Sequence, residues 1–251
     1  MRFRLKAFTL HLVMSALVLS CTLGGLYLGW YHWPGWYLAA VIPVVTVMVG
    51  VDVVLGPLLT FVIASERKPR RELARDIGII VAVQLVAFGY GATTLWHGRP
   101  LYYAFSVNCL SIVQGYDLDP EDTARAQREN RPLAPHWNSL PRWIYAPLPG
   151  SSAESEKIVS SALSGGYDVT ARPTYFRSWQ DGRNDLRGAL QRIDDIKFFS
   201  GPERQRLKER VRAAGLDPSR PTALAFTGRA RPLLAVFDPQ RLELRMLVRA
   251  D

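Results

Sequence analysis

Apolar and polar positions divide the chain into two regimes: three long apolar runs crowd into the first 96 residues, and charged, proline-rich sequence follows. Phe8 to Trp30 carries only His11 and small hydroxyl residues as polar content. Trp36 to Ala64 reads WYLAAVIPVVTVMVGVDVVLGPLLTFVIA, with the single carboxylate Asp52, and Ile77 to Leu95 is closed by Trp96. Each run is long enough to cross about 30 Å of hydrocarbon as a helix. The pattern predicts a three-helix transmembrane bundle over residues 1–96, with spans at 8–30, 36–64 and 77–95. The first run is too long for a signal peptide, and Val18-Leu19-Ser20-Cys21 has a bulky Leu19 where a lipoprotein cleavage site needs a small residue, so an uncleaved first span is expected.

Residues 97–251 read as an α+β domain. Pro100 to Asn108 alternates as a strand with Leu101, Tyr103, Phe105 and Val107 on one face. Asp119-Pro120 opens a helix with a cap and a proline in its first turn, but with almost no apolar stripe, which predicts a solvated face or a loop. Arg131 to Gly150 is proline-rich and extended, with Trp137 and Trp143 either buried or offered to a partner. Ser151 with Glu154 matches a capping box ahead of a helix that stops at Gly165-Gly166. A second helix carries Leu186, Leu190, Ile193 and Ile196; a third begins at Pro202, carries Leu207 and Val211, and stops at Gly215. Strands at Thr222–Phe226, Leu233–Phe237 and Leu242–Val248 form a C-terminal antiparallel β-meander, and an antiparallel sheet covered by helices is the expected packing.

Charge adds an orientation. Of the 251 residues 48% are hydrophobic and the formal net charge is +9. Basic residues near the spans cluster in MRFRLK at the start and in the loop 65–76, where Arg67, Lys68, Arg70, Arg71 and Arg75 crowd together. The positive-inside rule puts both in the cytoplasm and the domain 97–251 outside it. Glu66, Glu72 and Asp76 interleave with the basic loop, so anionic lipid headgroups account for it and nucleic acid is not an expected partner. The uncharged turn Tyr31 to Trp36 suits a membrane interface.

Candidate chemistry is sparse. An acid at the centre of a span costs roughly 2.5 to 3.5 kcal/mol on insertion scales, and such residues mark function by default. Asp52 is followed by Gly56-Pro57, which frees backbone carbonyls from the helical ladder. Counting depth from the cytoplasmic ends sets Ser20 level with Asp52 and Gln84 level with Gly56-Pro57, so Ser20 is expected to share a hydrogen bond with Asp52 and Gln84 to cap a freed carbonyl. Asp52 is expected to act through hydrogen bonding. Small residues four apart (Gly25 and Gly29, Gly78 and Ala82, Ala87 and Gly91) are expected to let helices approach closely. His11, His32, His97 and His136 are scattered without metal-ligand spacing. Cys21 lies in a span and Cys109 stands alone outside, so no internal disulfide is expected. Gly50-Val51-Asp52 matches part of an intramembrane aspartyl protease motif, but that chemistry needs two carboxylates and only one intramembrane acid is present. No enzyme activity, cofactor or metal is expected.

Asp52-Val53-Val54-Leu55-Gly56-Pro57-Leu58-Leu59-Thr60, then Arg70-Arg71-Glu72-Leu73-Ala74-Arg75-Asp76, Gln84, Tyr90-Gly91 and Gly98-Arg99-Pro100, resemble the TfpX/TfpZ family of type IV pilin accessory proteins over roughly residues 45 to 108. The resemblance implies a multi-pass inner-membrane factor, chaperone-like, that supports pilin stability or pilus assembly. Its partners would be a type IV pilin, other pilus-assembly membrane proteins and membrane lipids. Residues expected to meet the partner are Asp52, Gly56, Pro57, Thr60 and Gln84 in the bundle and Trp137 and Trp143 outside. A different class of function, a membrane-bound sensor with an extracytoplasmic ligand-binding domain, has little support from the cytoplasmic side, where only a short tail and one loop remain to carry output.

Overall fold

The computed structural model describes residues 1–65 and 68–249, and these divide into two compact units. The first comprises Met1–His32 and Val41–Gly98, the second Trp33–Ala40 and Arg99–Asp251. The chain thus passes from the first unit into the second, returns, and leaves again at Gly98.

Among the described residues the first unit contains three helices long and apolar enough to cross a membrane, Arg2–Tyr31, Ile42–Ile63 and Arg70–His97. The first is α1 (Arg2–Leu26) continued by a π-helical turn, Tyr27–Tyr31. The second is α3 (Ile42–Val49), a π-helical segment (Gly50–Leu55) and α4 (Gly56–Ile63); the third is α5 (Arg70–His97). Two boundaries differ from expectation. The second span starts at Ile42 and not Trp36, because the turn before it folds with the other unit and Ala40 adopts a left-handed φ of 52°, which an α-helix cannot continue through. The third helix starts seven residues before the apolar run, its polar first two turns carrying Arg70, Arg71 and Arg75.

The distribution of side chains in this unit is compatible with a membrane setting. Asp52, Thr60 and Gln84 are buried while Leu10, Leu28, Val62, Leu85 and Val86 are exposed, the reverse of a water-soluble core. Phe8 meets Phe61 edge-on between α1 and α4. At the other end Trp30 packs on Trp96, and the Tyr31 hydroxyl donates to the Leu95 carbonyl at 2.7 Å. Of the small residues singled out, Gly91 receives Met48, whose Cγ would lie 2.5 Å from an added Cβ; nothing approaches Gly25 or Gly78 within 4 Å.

The second unit is a seven-stranded mixed sheet, in the order β4-β3-β1-β2-β5-β6-β7, with helices. Its strands are β1 (Pro100–Ser106), β2 (Cys109–Gln114), β3 (Arg142–Tyr145), β4 (Arg177–Ser178), β5 (Ala223–Thr227), β6 (Leu233–Phe237) and β7 (Leu244–Arg249). The β5-β6-β7 meander is present as expected. The sheet is not antiparallel throughout: β1 pairs with β3 and β2 with β5 in parallel. Three strands escaped the sequence reading. β2 follows β1 through a two-residue turn in which Val107 takes φ 53°, a conformation for which glycine or asparagine is the usual signal.

One side of the sheet packs Tyr102, Ala104, Val113, Ile144 and Phe176 together, and further along Ala223, Ala225, Leu234 and Val236 against Leu207 and Val211 of α9 (Gly201–Ala213). Because side chains alternate along a strand, the other side presents Tyr103, Phe105, Phe226 and Phe237, which join Trp143 and Trp179 in an aromatic cluster. α6 (Pro120–Arg128) is a helix and not a loop, with a solvated face and only Asp122 and Ala126 buried. Asp119 caps it, and Asp122, nearly buried, accepts from the Thr174 backbone N–H at 2.9 Å and from Arg125. A polar network thus replaces the missing apolar stripe. α7 (Ser152–Leu163) forms without a side-chain cap from Ser151, and Glu154 accepts from the Tyr175 hydroxyl; the capping box that does form is Ser200 with Glu203 ahead of α9. Leu186, Leu190, Ile193 and Ile196 are all buried, but only Leu186 is α-helical, in α8 (Arg183–Ala189), and Ile193 opens a separate 3-10 turn, Ile193–Asp195. Beyond α8 Leu190 is extended and Gln191 bridges to Ala223.

The segment Trp33–Ala40, with α2 (Gly35–Leu38), is an integral part of this unit. Leu38 is fully buried, its carbonyl accepts the backbone N–H groups of Arg229 (2.8 Å) and Ala230 (3.3 Å), and the Arg249 guanidinium stacks over the Tyr37 ring. Gly228 permits this approach, because a Cβ there would stand 2.5 Å from the Leu38 carbonyl oxygen.

Candidate functional site

The π-helical segment around Asp52 runs up to Gly56-Pro57 at the start of α4. The Gly56 N–H bonds to the Val51 carbonyl, five residues back. The next bond of that kind would join residue 57 to the Asp52 carbonyl, and proline has no N–H to give. Gln84 of α5 supplies it: Nε2 donates to the Asp52 carbonyl at 3.0 Å. Gly56 makes the room, since a Cβ there would lie 2.0 Å from Gln84 Nε2. Pro57 frees an acceptor, Gly56 leaves a gap over it, and Gln84 fills the gap. Single π turns of this kind recur at functional sites in helices.

The Asp52 side chain, 5% exposed, faces a cleft of about 180 Å³. α1 contributes His11, Met14, Ser15 and Val18, and α5 contributes Val81, Gln84, Leu85 and Phe88. Both sets follow the i, i+3, i+4, i+7 spacing of one helix face. His11 Nδ1 lies 2.6 Å from the Thr60 hydroxyl, which fixes the imidazole against α4. Asp52 Oδ2 is buried with no hydrogen-bond partner among the described residues.

Asp52, Gly56, Pro57 and Gln84 therefore meet at one place, and Thr60 joins them through His11. Ser20 does not: it is exposed, on a different face of α1 from His11 and Ser15. Depth along a span does not fix rotation about its axis, and the i, i+4 relation to His11 selects Ser15. His11 and Ser15 are the site residues that sequence reasoning missed, and the shared face of α1 was the signal for them. Trp143 belongs to the aromatic cluster, packed on Tyr103, Trp179 and Phe226, whereas Trp137 is 76% exposed. Among the basic residues, Lys68 pairs with Asp76 (2.9 Å) and Glu72 (4.0 Å) and Arg75 with Asp76 (3.4 Å); Arg70 and Arg71 are exposed; Arg67 lies outside the described residues. Among the described residues no group of three His, Cys, Asp or Glu side chains could hold a metal. Burial pushes the Cys109 thiol up, away from the reactive thiolate. What the cleft offers is hydrogen bonding in an apolar setting.

No family model matches the chain, and no solved structure matches it. The chain is similar to curated proteins of Dichelobacter nodosus. It is 24% identical to the fimbrial assembly protein of serogroup E1 over 216 residues, covering 86% of this chain and 82% of that protein. Against the fimbrial assembly protein of serogroup I it is 23% identical with the same coverage, and against that of serogroups C1 and C2 it is 28% identical over 116 residues, 46% of this chain and 88% of that one. An alignment of 216 residues is longer than either unit, so the likeness takes in parts of both. This likeness is to proteins named for fimbrial assembly, a broader group than the TfpX/TfpZ family the sequence resembles.

Proposed function

We propose that this chain is an inner-membrane accessory factor of type IV pilus assembly that binds pilin and supports it before incorporation, without chemistry of its own. The observation that carries the reading is the likeness to fimbrial assembly proteins across parts of both units. The geometry supports it. A pilin awaiting assembly has a long apolar helix in the membrane and a globular head outside, so its helper needs a packing surface in the bilayer and a domain beyond it. The polar cleft at Asp52 is a feature that a plain anchor does not require. Trp137 is an exposed aromatic suited to contact with a head domain.

Pilin should co-purify with the full-length chain from detergent-solubilised membranes and should be captured by crosslinkers placed in the bundle and at Trp137. Failure to recover pilin from either place would remove the reading. The orientation that goes with it has its own test. Reporter domains active only outside the cytoplasm should work when fused after Trp33 or Gly150 and fail after Arg70. Activity at Arg70 would reverse the topology and place the second unit in the cytoplasm.

A further inference from the structure

We infer that the Asp52 carboxyl is the point at which the bundle hydrogen-bonds a polar side chain, a hydroxyl or carboxamide, carried by a partner's transmembrane helix; the inference rests on the pilin-helper reading. Asp52 Oδ2 lacks a protein partner although the residue is 95% buried. Of the other polar groups lining the cleft, Gln84 donates to the Asp52 backbone, His11 Nδ1 is held by Thr60, and the Ser15 hydroxyl makes no hydrogen bond to Oδ2. His11 is the one other titratable group lining the cleft. A buried carboxyl oxygen left unpaired in hydrocarbon is costly in either protonation state, as an acceptor without a donor or as a hydroxyl without an acceptor. A hydroxyl or carboxamide answers both states, whereas an ammonium answers only the ionised one. The route in is through lipid, since the cleft's rim residues Met14, Val18 and Leu85 are apolar and exposed. Lipid tails carry no donor. A helix delivers a polar side chain to that depth with its own backbone already satisfied.

Dicyclohexylcarbodiimide, which partitions into hydrocarbon, reads the occupancy of this carboxyl directly. The protonated carboxyl adds across one C=N bond, oxygen to carbon and proton to nitrogen, and the adduct rearranges to a stable N-acylurea found by mass spectrometry. The full-length chain is labelled in membranes containing pilin, in membranes lacking it, and purified in vesicles of the same lipids, with Asp52→Asn as the unlabelled control. Labelling of Asp52 should be roughly tenfold slower in pilin-containing membranes than in vesicles, the protection expected of about 1.4 kcal/mol of occupancy. Equal rates in all three preparations mean that only lipid or water reaches the carboxyl, and overturn the inference. Protection that persists without pilin upholds a helix at Asp52 and removes pilin as its source, so the two ideas fail separately. A photocrosslinker at Leu85 supplies the chemical identity. Capture of the partner should survive Asp52→Asn and fall about three- to fifteen-fold with Asp52→Leu, the range of interhelical hydrogen bonds in membranes. Val18→Trp, which blocks the mouth of the cleft and leaves Asp52 and Gln84 intact, should lower capture as well and covers a Leu variant that fails to fold. If Asn and Leu behave alike, or if pilin is captured from Tyr90 but never from Leu85, the hydrogen bond is not what holds the partner.

Discussion

Residues 99–251 exported alone should be degraded or aggregate, whereas the same segment with residues 33–40 joined to its start through a long Gly/Ser linker should stay soluble and resist protease. The difference lies in what Trp33–Ala40 supplies. Leu38 is fully buried in the second unit, and burying a leucine is worth about 1.5–3 kcal/mol. Its carbonyl also satisfies the N–H groups of Arg229 and Ala230 at the turn between β5 and β6. The Tyr37 ring under Arg249 ties in the last strand. Losing these together removes a large share of the roughly 5–15 kcal/mol that holds a domain folded. Leu38→Ala in the full chain isolates one term, with an expected loss of about 2–5 kcal/mol. Equal protease resistance of the two exported segments would show that the inter-span turn merely rests on a domain complete without it.

Gly56→Ala should destabilise the bundle while Gly50→Ala, six residues earlier in the same span, should be neutral or slightly stabilising. A methyl at position 56 would stand 2.0 Å from Gln84 Nε2, so the amide must leave and the Asp52 carbonyl loses its donor; at position 50 nothing lies within 4 Å. An unpaired buried acceptor costs about 1–3 kcal/mol, and Ala in place of Gly in a helix returns only ~1 kcal/mol. The thermal midpoint of the detergent-solubilised protein and its level in membranes measure both effects. Gln84→Ala should cost about the same as Gly56→Ala, and the double variant little more than either, because each removes the same hydrogen bond. Additive losses would show that Gly56 and Gln84 act separately and that the amide does not serve the freed carbonyl.

Asp52, Gln84 and Pro57 were legible because a carboxyl, an amide and a proline are conspicuous among apolar residues, and each is costly in lipid without a reason. The π register that unites them was not legible, since no residue announces a bond to the fifth carbonyl back; it emerges only when Pro57 is set against the Asp52 carbonyl. Leu186, Leu190, Ile193 and Ile196 read as one helical stripe and are all buried, but a spacing of three to four also suits a short helix followed by extended chain and a 3-10 turn. β2 was hidden behind Val107, whose left-handed backbone is imposed by tertiary structure against local preference. β3 was hidden among prolines, and with it the parallel pairing that makes the sheet mixed. Ser151 and Glu154 had the right spacing for a capping box, but spacing does not reserve a side chain, and Tyr175 holds Glu154.

The arrangement of Trp33–Ala40 also sets a clock. Tyr37 and Arg249 touch in the finished protein yet lie more than two hundred residues apart in the chain. At a synthesis rate of about 5–20 residues per second, roughly 10 to 40 s separate the emergence of the first from the arrival of the second. During that interval the turn has no domain to join. Trp33, Trp36 and Tyr37, which pack on one another, are the residue types that rest stably at a membrane surface. These aromatic residues, of which Trp33 stays exposed and Trp36 and Tyr37 end half-buried against the finished unit, thus have a place to wait for it, and β7 is the strand that ends the wait.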